Sequence, residues 1–229
     1  MGKLFLTLNS INYVCSASVL RPHILLTARH CIYDYAGGVW ATNVVFDPGY
    51  FNGSPNTYLG GAWAARAMAT WTSGTPDFEY DIGMIQTYNK NQTGCAPTTG
   101  NPQIETYTGY LGYQYGGNYG SMHFDPFGYP GAAPFTGLVM VQCEAASGAL
   151  NVAGFTNTVE IGCDMTEGCS GGPWVTTFKP GVSGATNYAA GVNSFRFSSP
   201  SHPLAINSPQ FQTNNFYNLL TFAQGLECP

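Results

Sequence analysis

Short runs in which apolar and polar residues alternate make up most of the chain, and turns rich in Gly and Pro separate them. Alternation with a period of two places successive side chains on opposite faces, which is typical of half-buried β-strands. We predict strands at residues 1–8, 13–20, 23–27, 44–46, 62–71, 82–86, 104–108, 138–143, 158–161, 174–178 and 188–194. Many short strands without a strand–helix rhythm predict an all-β protein built as barrels or a sandwich.

The end of the chain has a different pattern. Ser208-Pro209 provides a capping hydroxyl and a proline for a first helical turn. Apolar residues then recur at near-helical spacing as far as Gly225, and glycine is a common residue at the end of a helix. We therefore predict one C-terminal helix that begins near Ser208 and ends at Gly225.

A turn-rich stretch at residues 93–102 interrupts the alternation and is the best candidate for a domain boundary. The 229 residues suit one large all-β domain or two small ones that share an interface. We expect an N-terminal unit of residues 1–100 and a C-terminal unit of residues 101–229.

Composition and charge exclude several classes of partner. Charged residues are only 8 % of the chain, the formal net charge is −5, and no basic stripe occurs, so we expect no nucleic-acid partner. No apolar run is long enough for a membrane span, and we expect no membrane association. The apolar start at 4–6 is too short for a signal peptide, so we expect any leader or propeptide to lie outside this chain.

Three segments combine residue types that carry acyl-transfer chemistry. An apolar strand ends in a turn that presents His30, Asp81 opens a second apolar strand, and glycines flank Ser170 on a tight turn. Flanking glycines expose the hydroxyl and leave backbone N–H groups free to bind an anion. A carboxylate at the edge of a buried strand usually has a partner.

These residues supply the parts of a nucleophile, base and carboxylate triad. Ser170 is the candidate nucleophile, His30 the general base, and Asp81 the group that orients the imidazole. The N–H groups of Gly168 and Ser170 are the candidate oxyanion hole. Asp34 and Asp77 are rival loop carboxylates, and Cys169 is a rival nucleophile, although the hydroxyl of Ser170 occupies the expected position.

The same segments resemble those of a known family. Thr27-Ala28-Arg29-His30-Cys31 resembles the histidine motif of trypsin-like proteases, and Ser170-Gly171-Gly172-Pro173 resembles their serine motif. Across residues 2–194, four further motifs resemble secreted peptidases related to bacterial glutamyl endopeptidases: Trp40-Ala41-Thr42-Asn43, Phe46-Asp47-Pro48-Gly49-Tyr50, Phe127-Gly128-Tyr129-Pro130 and Cys163-Asp164-Met165-Thr166. The resemblance implies two six-stranded antiparallel Greek-key barrels with the site in the cleft between them.

The chain departs from the trypsin pattern at the residue before Ser170. Cys169 stands where trypsin-like zymogens have an aspartate that pairs with a new amino terminus, so the resemblance implies that this activation switch is absent.

The specificity pocket is expected to include Asp164, Met165, Asn193, Ser194 and Arg196. Asp164 favours a basic residue before the scissile bond and Arg196 an acidic one, while Arg196 could also pair with Asp164 or narrow the pocket. A neutral preference stays open.

Seven cysteines in a chain with few charges indicate an oxidising compartment. Cys31 can bridge back to Cys15 on the preceding strand and pin the turn that carries His30. The remaining expectations are a Cys143–Cys163 pair beside Asp164, a Cys95–Cys228 pair by elimination, and a free, buried Cys169.

These observations predict a secreted, monomeric serine endopeptidase that acts on proteins or peptides and needs no metal or cofactor. The alternative is a catalytically silent pseudoprotease of the same fold that serves as a binding or host-interaction protein. The unusual residues Cys169 and Arg196 around the site motivate that alternative.

Overall fold

A computed structural model describes residues 1–73, 78–92, 101–182, 187–197 and 204–226. The N-terminal half contains strands β1 (Gly2–Leu8), β2 (Ile11–Arg21), β3 (Ile24–Thr27), β4 (Tyr33–Asp34), β5 (Val39–Trp40), β6 (Thr42–Pro48), β7 (Trp63–Thr70) and β8 (Gly83–Thr87). The C-terminal half contains β9 (Gly112–Tyr113), β10 (His123–Gly128), β11 (Val141–Gln142), β12 (Ala145–Ala146), β13 (Ala149–Leu150), β14 (Thr158–Gly162), β15 (Pro173–Thr176), β16 (Tyr188–Val192) and β17 (Ala205–Pro209). The α-helices are α1 (Arg29–Ile32), α2 (Ile104–Thr108) and α3 (Asn218–Gly225).

The N-terminal half is a closed antiparallel barrel with the strand order β1-β2-β3-β8-β7-β6. Both faces of β3 and β8 are buried, because alternate residues lie in two clusters: Leu25 and Ile85 in the barrel interior, and Leu26 and Met84 in a second cluster outside it. The interior is filled by buried apolar side chains, among them Leu4, Leu6, Val19, Leu25, Phe46 and Trp63. Closure removes the exposed sheet edges that would otherwise pair with other chains.

The C-terminal half divides its strands between two sheets. One follows the order β11-β10-β15-β16-β9 with β12 paired to β10, and the other has the order β13-β14-β17. An isolated bridge between Phe195 and Asn207 joins the two sheets. The predicted all-β class with a C-terminal helix is confirmed, whereas the described strands of this half form two sheets rather than a single closed barrel.

The strand prediction is wrong at residues 104–108, which form α2. Five residues are too few for a period of two to be told from a helical turn. Ile104 is fully buried in the interior of the N-terminal barrel, and Thr108 Oγ1 donates a hydrogen bond to its carbonyl oxygen at 3.1 Å. The side chain of Ile104 therefore packs in the barrel interior from a helical turn, not from a strand. At residues 138–143, only Val141–Gln142 is a strand.

The C-terminal helix begins later than the sequence predicts. Ser208 and Pro209 end β17, where Ser208 pairs with Val159 of β14 and its Oγ accepts a hydrogen bond from Val192 N at 2.9 Å. Ser208 is fully buried, so its hydroxyl joins two sheets instead of capping a helix. After a π-helical turn at Thr213–Tyr217, α3 runs to Gly225, the predicted end.

The tail fastens the two halves together. Phe211, Phe216, Leu219 and Leu220 pack in one buried cluster with Leu20, Leu26 and Met84 of the N-terminal barrel and Val192 of β16. Gln86 Nε2 donates to the carbonyl oxygen of Ala223 at 2.6 Å, which fixes α3 against β8. The predicted boundary near residue 100 lies outside the described residues, so the division into residues 1–100 and 101–229 stays a prediction.

The predicted disulfides Cys15–Cys31 and Cys143–Cys163 are both present, and Cys169 is free and buried. Cys95 and Cys228 lie outside the described residues. Across the described ranges, none of the helices has the length and apolar character that crossing a membrane requires.

Gly172 marks the closest approach between the Ser170 turn and β10. A Cβ at this position would lie 1.8 Å from the carbonyl oxygen of Phe127, which is backbone and cannot move aside cheaply. We expect Gly172→Ala to lower the free energy of unfolding by about 3 kcal/mol. The matched control is Gly162→Ala, because a Cβ there meets nothing within 4 Å.

Denaturant unfolding of the two variants measures both effects. The control is expected to stay within about 0.5 kcal/mol of the parent chain. Equal stability of both variants would show that the turn is not packed against β10 as described.

Candidate active site

His30 lies in α1, a single helical turn that follows β3 directly. The Cys15–Cys31 disulfide ties this turn to β2, so the backbone at His30 is held against the barrel. The imidazole is 46 % exposed. A ring in this position can reach a substrate while its backbone is fixed.

Asp81 lies two residues before β8 and is 2 % exposed. Its Oδ2 is 2.8 Å from His30 Nδ1, and its Oδ1 accepts the backbone N–H of His30 at 2.9 Å. Ser194 Oγ donates a further hydrogen bond to Oδ2. The carboxylate is therefore held at both oxygens, and it orients the imidazole so that Nε2 is the free ring nitrogen.

The electrostatics of this pair favour the charged carboxylate. Burial alone would raise the pKa of Asp81, but the charge of His30 and the hydrogen bonds from His30 and Ser194 lower it to about 2. Desolvation acts to lower the pKa of His30, but the charge of Asp81 and the hydrogen bond to it outweigh that effect and raise the pKa above its ordinary value. Asp81 is thus ionised at neutral pH, and His30 is a stronger base than a free imidazole.

Ser170 lies on the turn before β15, and this turn packs against the strand end that carries His30. The carbonyl oxygen of Ser170 accepts the N–H of Ser16 at 2.7 Å and lies 3.7 Å from Cys31 Sγ. A Cβ on Gly171 would be 2.1 Å from Thr27 Oγ1, so only glycine allows this approach. The structure therefore places the Ser170 turn next to the end of β3, which is followed by the helical turn that carries His30.

The carbonyl groups around Ser170 are anchored in a way that directs its neighbouring amides. Cys169 O accepts from Asn193 Nδ2 at 2.9 Å and from Gly172 N at 3.0 Å, and Glu167 O accepts from Gly131 N at 2.7 Å. In a trans peptide the N–H points opposite to the C=O of the same unit. Fixing these two carbonyls therefore fixes the directions of the Ser170 and Gly168 N–H groups.

Neither of those N–H groups donates a hydrogen bond to any part of the protein that the structure describes. Gly168 has φ +100°, and a Cβ there would be 2.7 Å from the carbonyl oxygen of Tyr129. This left-handed conformation favours glycine. The turn thus leaves two backbone N–H groups, those of Gly168 and Ser170, without an acceptor in the described part of the chain.

Asn193 is the residue whose role the sequence did not reveal. It was expected in the specificity pocket, but its side chain is buried and donates from Nδ2 to Phe127 O at 2.8 Å as well as to Cys169 O. Its Oδ1 accepts from Trp174 Nε1 at 2.8 Å. The only sequence signal is an asparagine at the end of an apolar strand, where a buried amide must find partners.

Ser16 is a second contributor that sequence reasoning missed. Its Oγ donates to Gly168 O at 3.0 Å and accepts from Tyr129 N at 2.9 Å. Thr27 Oγ1 donates to its carbonyl oxygen at 2.9 Å. A serine on an alternating strand carries no distinctive signal, and the two partners of its hydroxyl lie more than a hundred residues away along the chain.

A pocket of about 130 Å³ opens beside Ser170. Its lining includes four of the five residues expected there, namely Met165, Asn193, Ser194 and Arg196. Asp164 is exposed and is not among the described residues that line the pocket. Arg196 pairs with Glu167 at 2.7 Å, a partner that the sequence did not suggest.

The rival residues lie in different surroundings. Asp34 is on the surface, where its carboxylate accepts hydrogen bonds from Asn9 Nδ2 at 2.8 Å and Ala36 N at 3.1 Å. Asp77 lies outside the described residues. Burial raises the pKa of Cys169 to about 12, so its thiol is neutral and poorly nucleophilic.

Two groups of three potential metal ligands occur in the described residues: Cys15 with His30 and Cys31, and Cys143 with Cys163 and Asp164. Both include a disulfide, so neither offers the thiolate sulfurs that bind metals.

No protein-family model and no curated protein matches the chain. Among solved structures, the protease Anisep from Arthrobacter nicotinovorans has a TM-score of 0.77 and 28 % identity, covering 99 % of this chain and 94 % of that one. The thermostable serine protease AL20 from an extremophilic microorganism also has a TM-score of 0.77 and 28 % identity, covering 96 % of both chains.

A Glu endopeptidase gives a TM-score of 0.70 at 17 % identity, covering 97 % of this chain and 90 % of that one, which is a likeness of fold. The resemblance drawn from the sequence motifs is confirmed at this level. The chain has the chymotrypsin fold and is similar to the bacterial serine proteases that share it.

Proposed function

We propose that the chain is a serine endopeptidase in which Ser170, His30 and Asp81 form the catalytic triad. The observation that carries the proposal is the buried carboxylate of Asp81, which holds His30 at 2.8 Å beside the anchored turn of Ser170. Bacterial serine proteases with the same fold support it. A structural role alone would not require a half-exposed base beside two unoccupied amide donors.

The proposed reaction proceeds in two halves. Ser170 Oγ attacks the peptide carbonyl carbon while His30 Nε2 takes the hydroxyl proton, and the tetrahedral oxyanion accepts hydrogen bonds from Gly168 N and Ser170 N. His30 then donates that proton to the leaving amine as the C–N bond breaks. Water attacks the resulting acyl-enzyme with His30 again as base, which releases the acid and restores Ser170.

Asp81 does not take up a proton in this cycle. With a pKa of about 2 it stays ionised, and its negative charge stabilises the imidazolium that forms in each half-reaction. Ser194, by donating to Asp81 Oδ2, holds the carboxylate in position and completes its hydrogen bonds. We assign Ser194 this positioning role in addition to its place in the pocket wall.

The proposed setting is extracellular. Two disulfides favour an oxidising compartment, since the cytosol keeps such pairs reduced. The proposed substrates are proteins or peptides that lie in the cleft. Because one chain supplies all three triad residues and both oxyanion donors, we propose that the enzyme acts as a monomer.

Removal of the Ser170 hydroxyl tests the proposal directly. We expect the parent chain to cleave a diverse peptide pool and to be labelled at Ser170 by a serine-directed phosphonate. Ser170→Ala should lose both, because no other described residue in the cleft offers an activated hydroxyl. Mass spectrometry of peptide ends and of the labelled protein measures the two outcomes.

Ser121→Ala serves as the matched serine substitution outside the triad, because Ser121 is exposed and its hydroxyl donates within its own turn, to Asn118 O. It should cleave and label like the parent chain. Equal cleavage by Ser170→Ala would overturn the assignment. Absence of both cleavage and labelling in the parent chain would favour the binding-protein alternative.

The pH dependence follows from the pKa of His30. Only the neutral imidazole accepts the Ser170 proton, so kcat/KM should rise with pH through an apparent pKa above the ordinary value of about 6.5. Asp81→Asn removes the charge that raises this pKa, and it should lower the apparent pKa and reduce kcat by about 10³- to 10⁴-fold. An unchanged profile in Asp81→Asn would exclude the pairing as the source of the shift.

The anchoring of Cys169 O can be tested at Asn193. We expect Asn193→Ala to reduce kcat by about 10²-fold with little change in KM, because the Ser170 N–H loses its fixed direction. A peptide aldehyde, which forms a tetrahedral adduct, should lose affinity by a similar factor. Val159→Ala, a buried change in β14, controls for lost stability and should leave both quantities unaltered.

A further inference from the structure

The floor of the pocket beside Ser170 is apolar. Met165 is 1 % exposed and Ile206 is 3 % exposed, and the neutral thiol of Cys169 completes this surface. The volume of about 130 Å³ is slightly below the roughly 150 Å³ of an apolar cavity that holds one benzene molecule. An aliphatic side chain fits this space, whereas a large aromatic ring exceeds it.

Apart from the proposed nucleophile Ser170, the uncharged polar side chains of the described lining already have partners. Thr166 Oγ1 donates to Ala132 O at 2.8 Å and accepts from Ala132 N at 3.2 Å. The Asn193 amide is bound at both its oxygen and its nitrogen, and the Ser194 hydroxyl donates to Asp81. A polar substrate side chain entering the pocket would have to compete with these contacts or remain unpaired.

The two charged residues of the described lining neutralise each other. Arg196 Nη2 donates to Glu167 Oε1 at 2.7 Å, and both side chains are partly exposed. An acidic substrate side chain could pair with Arg196 only by releasing Glu167, and a basic one could pair with Glu167 only by releasing Arg196. In either case the released residue carries the same charge as the substrate side chain and remains next to it.

We infer that this pocket selects an uncharged aliphatic residue, of the size of Ala, Val, Leu or Met, immediately before the scissile bond. This inference rests on the proposed peptidase function and deepens it. The apolar floor recognises the side chain by burying it, and the Arg196–Glu167 pair excludes charged side chains at the mouth. Asp164, which would favour a basic residue, is exposed and lies outside the described lining.

The test uses one peptide sequence in which only the residue before the scissile bond varies among Leu, Ala, Glu, Lys and Trp. We expect kcat/KM for the Leu and Ala peptides to exceed that for the Glu and Lys peptides by at least about 100-fold, since a charged group would be buried without a partner. The Trp peptide should also be cleaved more slowly than the Leu peptide. A Glu or Lys peptide that matches the Leu peptide overturns the inference.

Two isosteric variants test the role of the ion pair. Glu167→Gln releases Arg196, so the ratio of kcat/KM for the Glu peptide to that for the Leu peptide should rise by about 10-fold. Arg196→Gln releases Glu167, so the corresponding ratio for the Lys peptide should rise. A change of neither ratio would show that the pair does not govern specificity.

Labelling of Ser170 separates this inference from the proposed function. If the phosphonate labels Ser170 but charged peptides are cleaved best, the specificity inference fails and the peptidase function stands. If Ser170 is not labelled and none of the peptides is cleaved, the proposed function itself fails.

Discussion

The side-chain amide of Asn193 holds the carbonyl of Cys169, and the geometry of the candidate site depends on that contact more than on any other. Because a peptide unit is planar, the direction of one carbonyl sets the direction of the N–H on its far side. The same amide binds Trp174 and Phe127, so the turn shares the rigidity of the buried strands around it. The proposed oxyanion donors are therefore preorganised, and they need no ion pair at the position of Cys169.

Both halves of the chain contribute to this arrangement. The N-terminal barrel presents His30 and Asp81 at the ends of neighbouring antiparallel strands, β3 and β8, which explains how residues 51 positions apart meet. The C-terminal half supplies Ser170, and it also returns Ser194 to the buried side of Asp81. The carboxylate thus receives its hydrogen bonds from both halves, and the one from Ser194 adds to the lowering of the Asp81 pKa that His30 causes.

Much of the fold and the position of the site could be predicted from the sequence, because these depend on local patterns. Alternation identified most strands, and glycine spacing around Ser170 identified a tight turn. The Ser208-Pro209 dipeptide gave a wrong helix start, because a hydroxyl that can cap a helix can also accept a hydrogen bond from a neighbouring strand when it is buried. The role of Asn193 and the Arg196–Glu167 pair depend on which strands come together, and no local pattern contains that information.

Ser16 connects to Gly168 across 152 positions of the chain, so their hydrogen bond can form only after both halves have folded and docked. Contacts between residues so distant in sequence form late, because the chain between them must first be ordered. A chain that is still folding therefore lacks the finished turn around Ser170. The proposed peptidase activity would therefore arise last in folding. By then the backbone of the chain is already buried in the barrel and protected from cleavage by other copies of the enzyme.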